Sequence, residues 1–225
     1  MNKPDLQSKK ILWIIIGFFV FYKLITFRMF DIGGDAANYW FAAKLIYYGF
    51  PYGEITHQTS RFGIILPVYL SQLIFGVHPA VTAIFPNVLL LIQVIFIYKI
   101  GSEIYDIRAG FISAILFMMC PSVIKWSSQI LPPAFEGPAL TMSFYFILKY
   151  GEKKIKEIGF LTLAAFMLFW AYTAKETSIY LMPAFMSVIF MMKKNVRHML
   201  IFSGMLLFLF IMECAIFYYF TGDFM

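Results

Sequence analysis

Asp35, Arg61, Glu136, Lys175 and Asp223 are ionisable side chains set in polar stretches between long apolar runs. Asp35 stands in Gly33-Gly34-Asp35-Ala36-Ala37-Asn38-Tyr39. The two glycines free the backbone to turn, and Asp is well suited to cap the helix that follows. The same carboxylate, held just outside a membrane, could instead act as a general base. Glu136 lies in a proline-rich segment, residues 129–138, expected to be a tight turn: its prolines bar helix continuation and present the acid outward. Together Asp35 and Glu136 could orient an acceptor and take its proton, or hold a divalent cation. Arg61 and Lys175 are the cationic counterpart, since a phosphate is matched by a guanidinium or ammonium group. A lipid phosphate would lie at their depth. Thr173-Ala174-Lys175-Glu176-Thr177 also reads as a Lys–Glu pair that satisfies itself between two helices. His57 and His78 lack ligand-spaced companions and read as interfacial polar residues, and His198 belongs with Lys194 and Arg197 in a basic loop.

The elements that must position these groups are membrane spans. Of the 225 residues, 61% are hydrophobic, 20% aromatic and only 13% charged, against about 25% charged in a soluble domain. A helix crosses a bilayer with about 20 apolar residues, and the chain has room for about seven such runs. The expected fold is therefore all-α and polytopic, with about seven spans, forming a single module over residues 1–225. Residues 11–29 form the first span; with no small-residue cleavage site after it, this reads as an uncleaved signal anchor. Residues 30–79 form the long outer segment, holding two helices expected to lie in the interface, 36–48 and 63–75. The later spans are expected at 80–100, 109–126, 138–150, 158–172, 179–192 and 199–220. Cys120 and Cys214 sit within apolar runs and read as packing residues.

The formal charge of +6 does not indicate nucleic acid, because the basic residues come in short clusters between apolar runs, the pattern of cytoplasmic loops. With the N-terminus inside and residues 63–75 not spanning, the cytoplasmic segments hold Lys3, Lys9, Lys10, Lys99, Arg108, Lys149, Lys153, Lys154, Lys156, Lys193, Lys194 and Arg197, twelve of the eighteen basic residues. Were 63–75 to span, every later loop would invert and contradict the N-terminal cluster. In the consistent arrangement Asp31, Asp35, Glu54, Glu136, Glu176 and Asp223 all fall at the outer face, with Glu213 inside the last span. Ionisable groups at membrane depth cost about 2.5–3.5 kcal/mol on insertion scales and usually mark a polar cavity or an ion path.

The order of parts resembles the GT-C superfamily of polyprenyl-phosphate-sugar-dependent membrane glycosyltransferases, and most of all its protein O-mannosyltransferase, aminoarabinose transferase and RgtA/B/C/D-like branch. The resemblance is carried by Gly34-Asp35-x-x-x-Tyr39, Ser60-Arg61-Phe62-Gly63-x-x-x-Pro67, Phe75-Gly76-Val77, Ala109-Gly110, Cys120-Pro121 and the Pro133–Glu136 stretch. Thr173 to Thr177, Glu213 and the Tyr218-to-Asp223 segment complete the series. It implies a GT-C module in the cell membrane, with Asp35 as catalytic base and Tyr39 on the same interfacial helix. It also implies Arg61 at the donor phosphate, Lys175 as a further cavity cation, and Glu136 in the place of a second outer acid. The implied reaction moves a sugar, with inversion, from a polyprenyl-phosphate donor to a hydroxyl of a glycan, lipid or protein acceptor; a divalent cation is optional. Two departures stand out. The sequence reads Asp35-Ala36 where many relatives have Asp-Glu, and relatives are usually about twice as long. The chain is thus expected to be an N-terminal part, with a second chain able to supply missing spans. The alternative reading is a non-catalytic, truncated or split membrane module that binds lipid or a partner chain.

Overall fold

The computed structural model describes residues 6–26, 33–49, 60–79, 83–152, 157–193 and 196–221. Among these residues there are ten α-helices and one 3-10 helix, and no strand. In chain order they are α1 (Leu6–Thr26), α2 (Gly34–Tyr47), α3 (Phe62–Phe75), α4 (Ile84–Ile104), α5 (Ile107–Met119) and α6 (Pro121–Trp126). Then follow α7 (Pro132–Glu152), α8 (Glu157–Ala174), the 3-10 helix (Glu176–Leu181), α9 (Met182–Lys193) and α10 (Val196–Thr221).

Two of these helices combine the length and apolarity needed to cross a bilayer, α4 and the Val196–Tyr218 part of α10, with mean hydropathies of 1.9 and 2.4. Only 28% and 22% of their apolar windows are buried within the protein. A core helix of a soluble protein would be largely covered; these two turn most of their apolar surface outward, where only lipid can solvate it favourably. The same holds along α1, where Trp13 and Leu24 are 71% and 77% exposed. The helices α3, α5 and α8 and the stretch Glu176–Met192 are apolar but shorter.

Three apolar clusters hold the helices together. One joins α1, α4 and α5 through Ile15, Phe19, Leu90, Val94, Ala114 and Met118. A second joins α7, α8, α9 and α10 through Ile147, Leu161, Leu168, Ile189 and Phe202. The third packs α2 and α3 against α4, α7 and the end of α8, through Tyr39, Ala43, Ile64, Val68, Leu89, Phe135 and Ala174. Small residues allow the closest helix approaches, as is usual where lipid removes the hydrophobic drive between helices. Gly101 of α4 faces Gly110 of α5 so closely that a Cβ on Gly101 would stand 2.7 Å from the Gly110 Cα.

Four local expectations are corrected. The apolar run 109–126 is not one helix: Cys120 is extended (ψ 125°) and Pro121 opens the separate helix α6, because a proline at the first helical position has no N–H to lose. The proline-rich stretch 129–138 is not a tight turn throughout. Helix α7 begins at Pro132 and runs through Pro138, so Glu136 projects from a helix. Pro132 and Pro133 sit in the first turn, where the N–H groups are unpaired in any case, and Pro138 is an interior proline, as is Pro67 in α3. Finally, the N-cap of α2 is Gly33, and no side chain caps it; Asp35 lies one residue inside, in the first turn. Gly34, at φ +57°, makes the entry that an L side chain would resist. The 3-10 helix also replaces the first turns of the helix expected from residue 179.

Candidate functional site

Arg61 is the organising residue of one end of the bundle. Its carbonyl accepts from the amides of Ile64 and Ile65 at 3.0 and 3.1 Å, closing the first turn of α3. Its guanidinium reaches three ways. Nη1 donates to the Tyr39 hydroxyl at 2.7 Å, while Nε and Nη2 donate to the two carboxylate oxygens of Glu176 at 3.2 and 3.1 Å. This fork-to-fork pairing uses the planar donor geometry that a lysine lacks. The Arg61 side chain is 12% exposed and that of Glu176 51%, so the pair sits at the rim with the carboxylate on the wet side.

Lys175, the neighbour of Glu176, serves a second pair. Its ammonium is 3.7 Å from a Glu136 carboxylate oxygen, and the other oxygen accepts from the Ser178 hydroxyl at 2.6 Å. The backbone explains why adjacent residues take separate partners. Lys175 is extended, φ −157° and ψ 115°, between α8 and the 3-10 helix. Successive side chains on extended backbone point to opposite sides, so Lys175 turns to α7 while Glu176 turns to α3. The self-satisfied Lys175–Glu176 pair entertained from sequence does not form in this way: each partner is held across the fold.

The framework beneath is close-packed. Gly63 presses on the end of α8, where a Cβ would stand 2.5 Å from the Ala174 amide nitrogen and 2.6 Å from the Thr173 hydroxyl. The Trp170 indole N–H donates to the Gly63 carbonyl at 2.9 Å, and Gln72 of α3 reaches the Trp40 carbonyl of α2 at 3.3 Å. The α2–α3 pair is thereby fixed to α8. Asp35 is exposed at the open end of α2, one helical turn before Tyr39 and close enough for its charge to act on the phenol. Burial pushes the Tyr39 hydroxyl above its usual pKa, the Arg61 contacts pull it back down, and the Asp35 and Glu176 charges add to the rise. For Arg61, burial disfavours the charge, but the bonds it donates to Glu176 and Tyr39 outweigh it and hold the guanidinium above its usual value.

Of the residues singled out from sequence, then, Tyr39 with Arg61 and Glu136 with Lys175 are in direct contact, and Asp35 flanks the first pair. Asp223, Asp31, Glu54 and His57 lie outside the described residues. Glu176, read from sequence as the partner of Lys175, pairs with Arg61 instead, and Ser178, which sequence reasoning did not single out, completes the cluster. Glu213 lies on α10, 8% exposed, one turn before Phe217, whose ring meets Phe62 with centroids 6.5 Å apart. No group of three or more His, Cys, Asp or Glu side chains suited to a metal ion occurs among the described residues.

An all-α scaffold with outward-facing apolar helices and a charged cluster at one end is consistent with a membrane protein. A family model for dolichyl-phosphate-mannose-protein mannosyltransferase matches residues 66–218, more than half of the chain. The chain belongs to that family, and is thus a membrane glycosyltransferase of the GT-C type. The match opens within α3 and takes in Glu136, Lys175, Glu176 and Ser178, while Asp35, Tyr39 and Arg61 precede it. No curated protein and no solved structure matches the chain.

Proposed function

We propose that the chain transfers a sugar from a polyprenyl-phosphate donor to an acceptor hydroxyl at the outer face of the cell membrane, crossing the bilayer about seven times with its N-terminus inside. The observation that carries this reading is the Arg61 cluster: two cations from different elements, Arg61 and Lys175, meet at one rim of the bundle beside the exposed carboxylate of Asp35. The lipid tail of the donor stays among the helices and its phosphate emerges at this rim. There the phosphate competes with Glu176 for the Arg61 fork and with Glu136 for Lys175. Asp35 takes the proton of the acceptor hydroxyl. The oxygen attacks the anomeric carbon, and the bond from that carbon to the phosphate oxygen breaks, its electron pair leaving with the polyprenyl phosphate. Attack opposite the leaving group inverts the anomeric centre. Arg61 and Lys175 stabilise the charge that collects on the phosphate, so a cation fulfils the task a general acid would otherwise perform.

The test is transfer of radiolabelled sugar from polyprenyl-phosphate donors in membranes containing the full chain. Asp35→Asn is expected to lower the rate by a factor on the order of 10²–10⁴, the usual contribution of a positioned base, with normal membrane insertion. Full activity in a normally inserted Asp35→Asn protein would overturn the assignment of the base.

A further inference from the structure

We propose that the cavity between α4, α5, α6 and the start of α7, with Lys23 of α1 beside it at Ser127, binds an anionic membrane phospholipid, with its phosphate at Lys23 and an acyl chain in the cavity. Lys23 lies in the apolar first helix and is only 8% exposed. Its ammonium donates to the Ser127 hydroxyl and lies 5.9 and 5.7 Å from the ring centroids of Phe19 and Tyr22. A hydroxyl and two ring faces are all neutral; no carboxylate pairs with it among the described residues. A buried charge without a counter-ion is costly, and ionisable groups in membrane helices are expected to have a partner. An anion is the partner that such a charge calls for.

Ser127 also forms part of the wall of a cavity of about 210 Å³. Its other walls are mainly apolar, with Leu90, Phe117 and Val123 among them, and Gln93 and Ser122 add small polar groups. Trp126 stands at this cavity too, with the Lys125 ammonium 4.5 Å from its ring centroid. That adds a second positive charge and an aromatic side chain of the kind that settles at the headgroup level. The nearest acid along α7, Glu136, is already committed to Lys175 and Ser178. One anionic head with an apolar tail matches this combination; a free anion would leave the cavity walls unmet, and a zwitterionic lipid would bring its own cation to Lys23.

The experiment uses the full chain in nanodiscs of phosphatidylcholine, with and without phosphatidylglycerol, and reads bound lipid by native mass spectrometry after transfer to mild detergent. The wild type is expected to retain phosphatidylglycerol about tenfold better than phosphatidylcholine, equivalent to about 1.4 kcal/mol, and to melt higher in the anionic discs. Lys23→Met should lose both effects while folding at least as well as the wild type in phosphatidylcholine, because it removes an unpaired buried charge. Asp35→Asn should keep both, which separates this site from the transfer reaction. Equal retention of the two lipids by the wild type, or unchanged preference in Lys23→Met, would overturn the proposal. So would displacement of phosphatidylglycerol by inorganic phosphate alone, or by polyprenyl phosphate at stoichiometric amounts.

Discussion

Deleting the Tyr39 hydroxyl leaves one donor of a largely buried guanidinium without its acceptor. Tyr39→Phe should therefore destabilise the protein by about 1.5–3 kcal/mol, the range for hydrogen bonds to charged groups, read as a lower melting temperature in detergent. Arg61→Lys keeps the charge but loses the fork on Glu176. As Glu176 is half exposed, the ion-pair component is small, about 0.5–1 kcal/mol. The Tyr39 pKa is raised in the fold, so the contribution of the phenol is fully present below its unfolded value of about 10 and fades only as the pH climbs above that. Stability curves of wild type and Tyr39→Phe should run parallel from pH 6 to 9 and converge above about pH 10; convergence below pH 9 would contradict the geometry. Sequence alone marks Tyr39, Arg61, Glu136 and Lys175 as one set. It does not reveal that Glu176 is the partner of Arg61, because that depends on a single extended residue, Lys175, which sends neighbouring side chains to different helices.

At the scale of elements, α3 and α8 meet through Gly63, where any Cβ would run into the backbone of Thr173 and Ala174 as well as the Thr173 hydroxyl. Gly63→Ala should force the two helices apart and cost about 1–3 kcal/mol, the usual penalty of overpacking, and should lower sugar transfer as Arg61 and Glu176 separate. Gly17, where an added Cβ meets nothing within 4 Å, is the control: Gly17→Ala should leave both stability and transfer unharmed. Helices α2 and α3 lie within a residue or two of the interfacial stretches expected from aromatic and apolar runs, since Gly49 and Gly76, both at positive φ, bound them. Proline was the less legible signal. Pro121 breaks a run that hydropathy alone joins, whereas Pro132, Pro133 and Pro138 are accommodated within one helix. For Pro132 and Pro133 the outcome depends on the missing N–H falling in a first turn, which composition does not show.

For the molecule as a whole, the placement of the Arg61 cluster at the outer face rests on the arrangement of basic residues, which predicts opposite sides for two short connections. Tyr180, in the 3-10 helix beside the cluster, and Tyr105, between α4 and α5, are each 80% exposed. In a background with Cys120 and Cys214 replaced by alanine, a cysteine at Tyr180 should react with an impermeant maleimide from the outside of sealed vesicles. One at Tyr105 should react only after permeabilisation. Labelling of both from one side would refute the orientation. The all-α character was plain in the sequence because apolar runs need satisfied backbone wherever lipid surrounds them. The number of crossings was less so: α5, α8 and the Glu176–Met192 stretch are shorter than α4 and α10, and an apolar run alone does not separate crossing from lying flat.

The seat of Gly63 against Thr173 and Ala174, clasped by the Trp170 indole, fixes Arg61 from the residues that come after it. Tolerance to change follows from which backbone is packed and bonded, so Gly63 with Trp170 is where variation at this end of the bundle is least free.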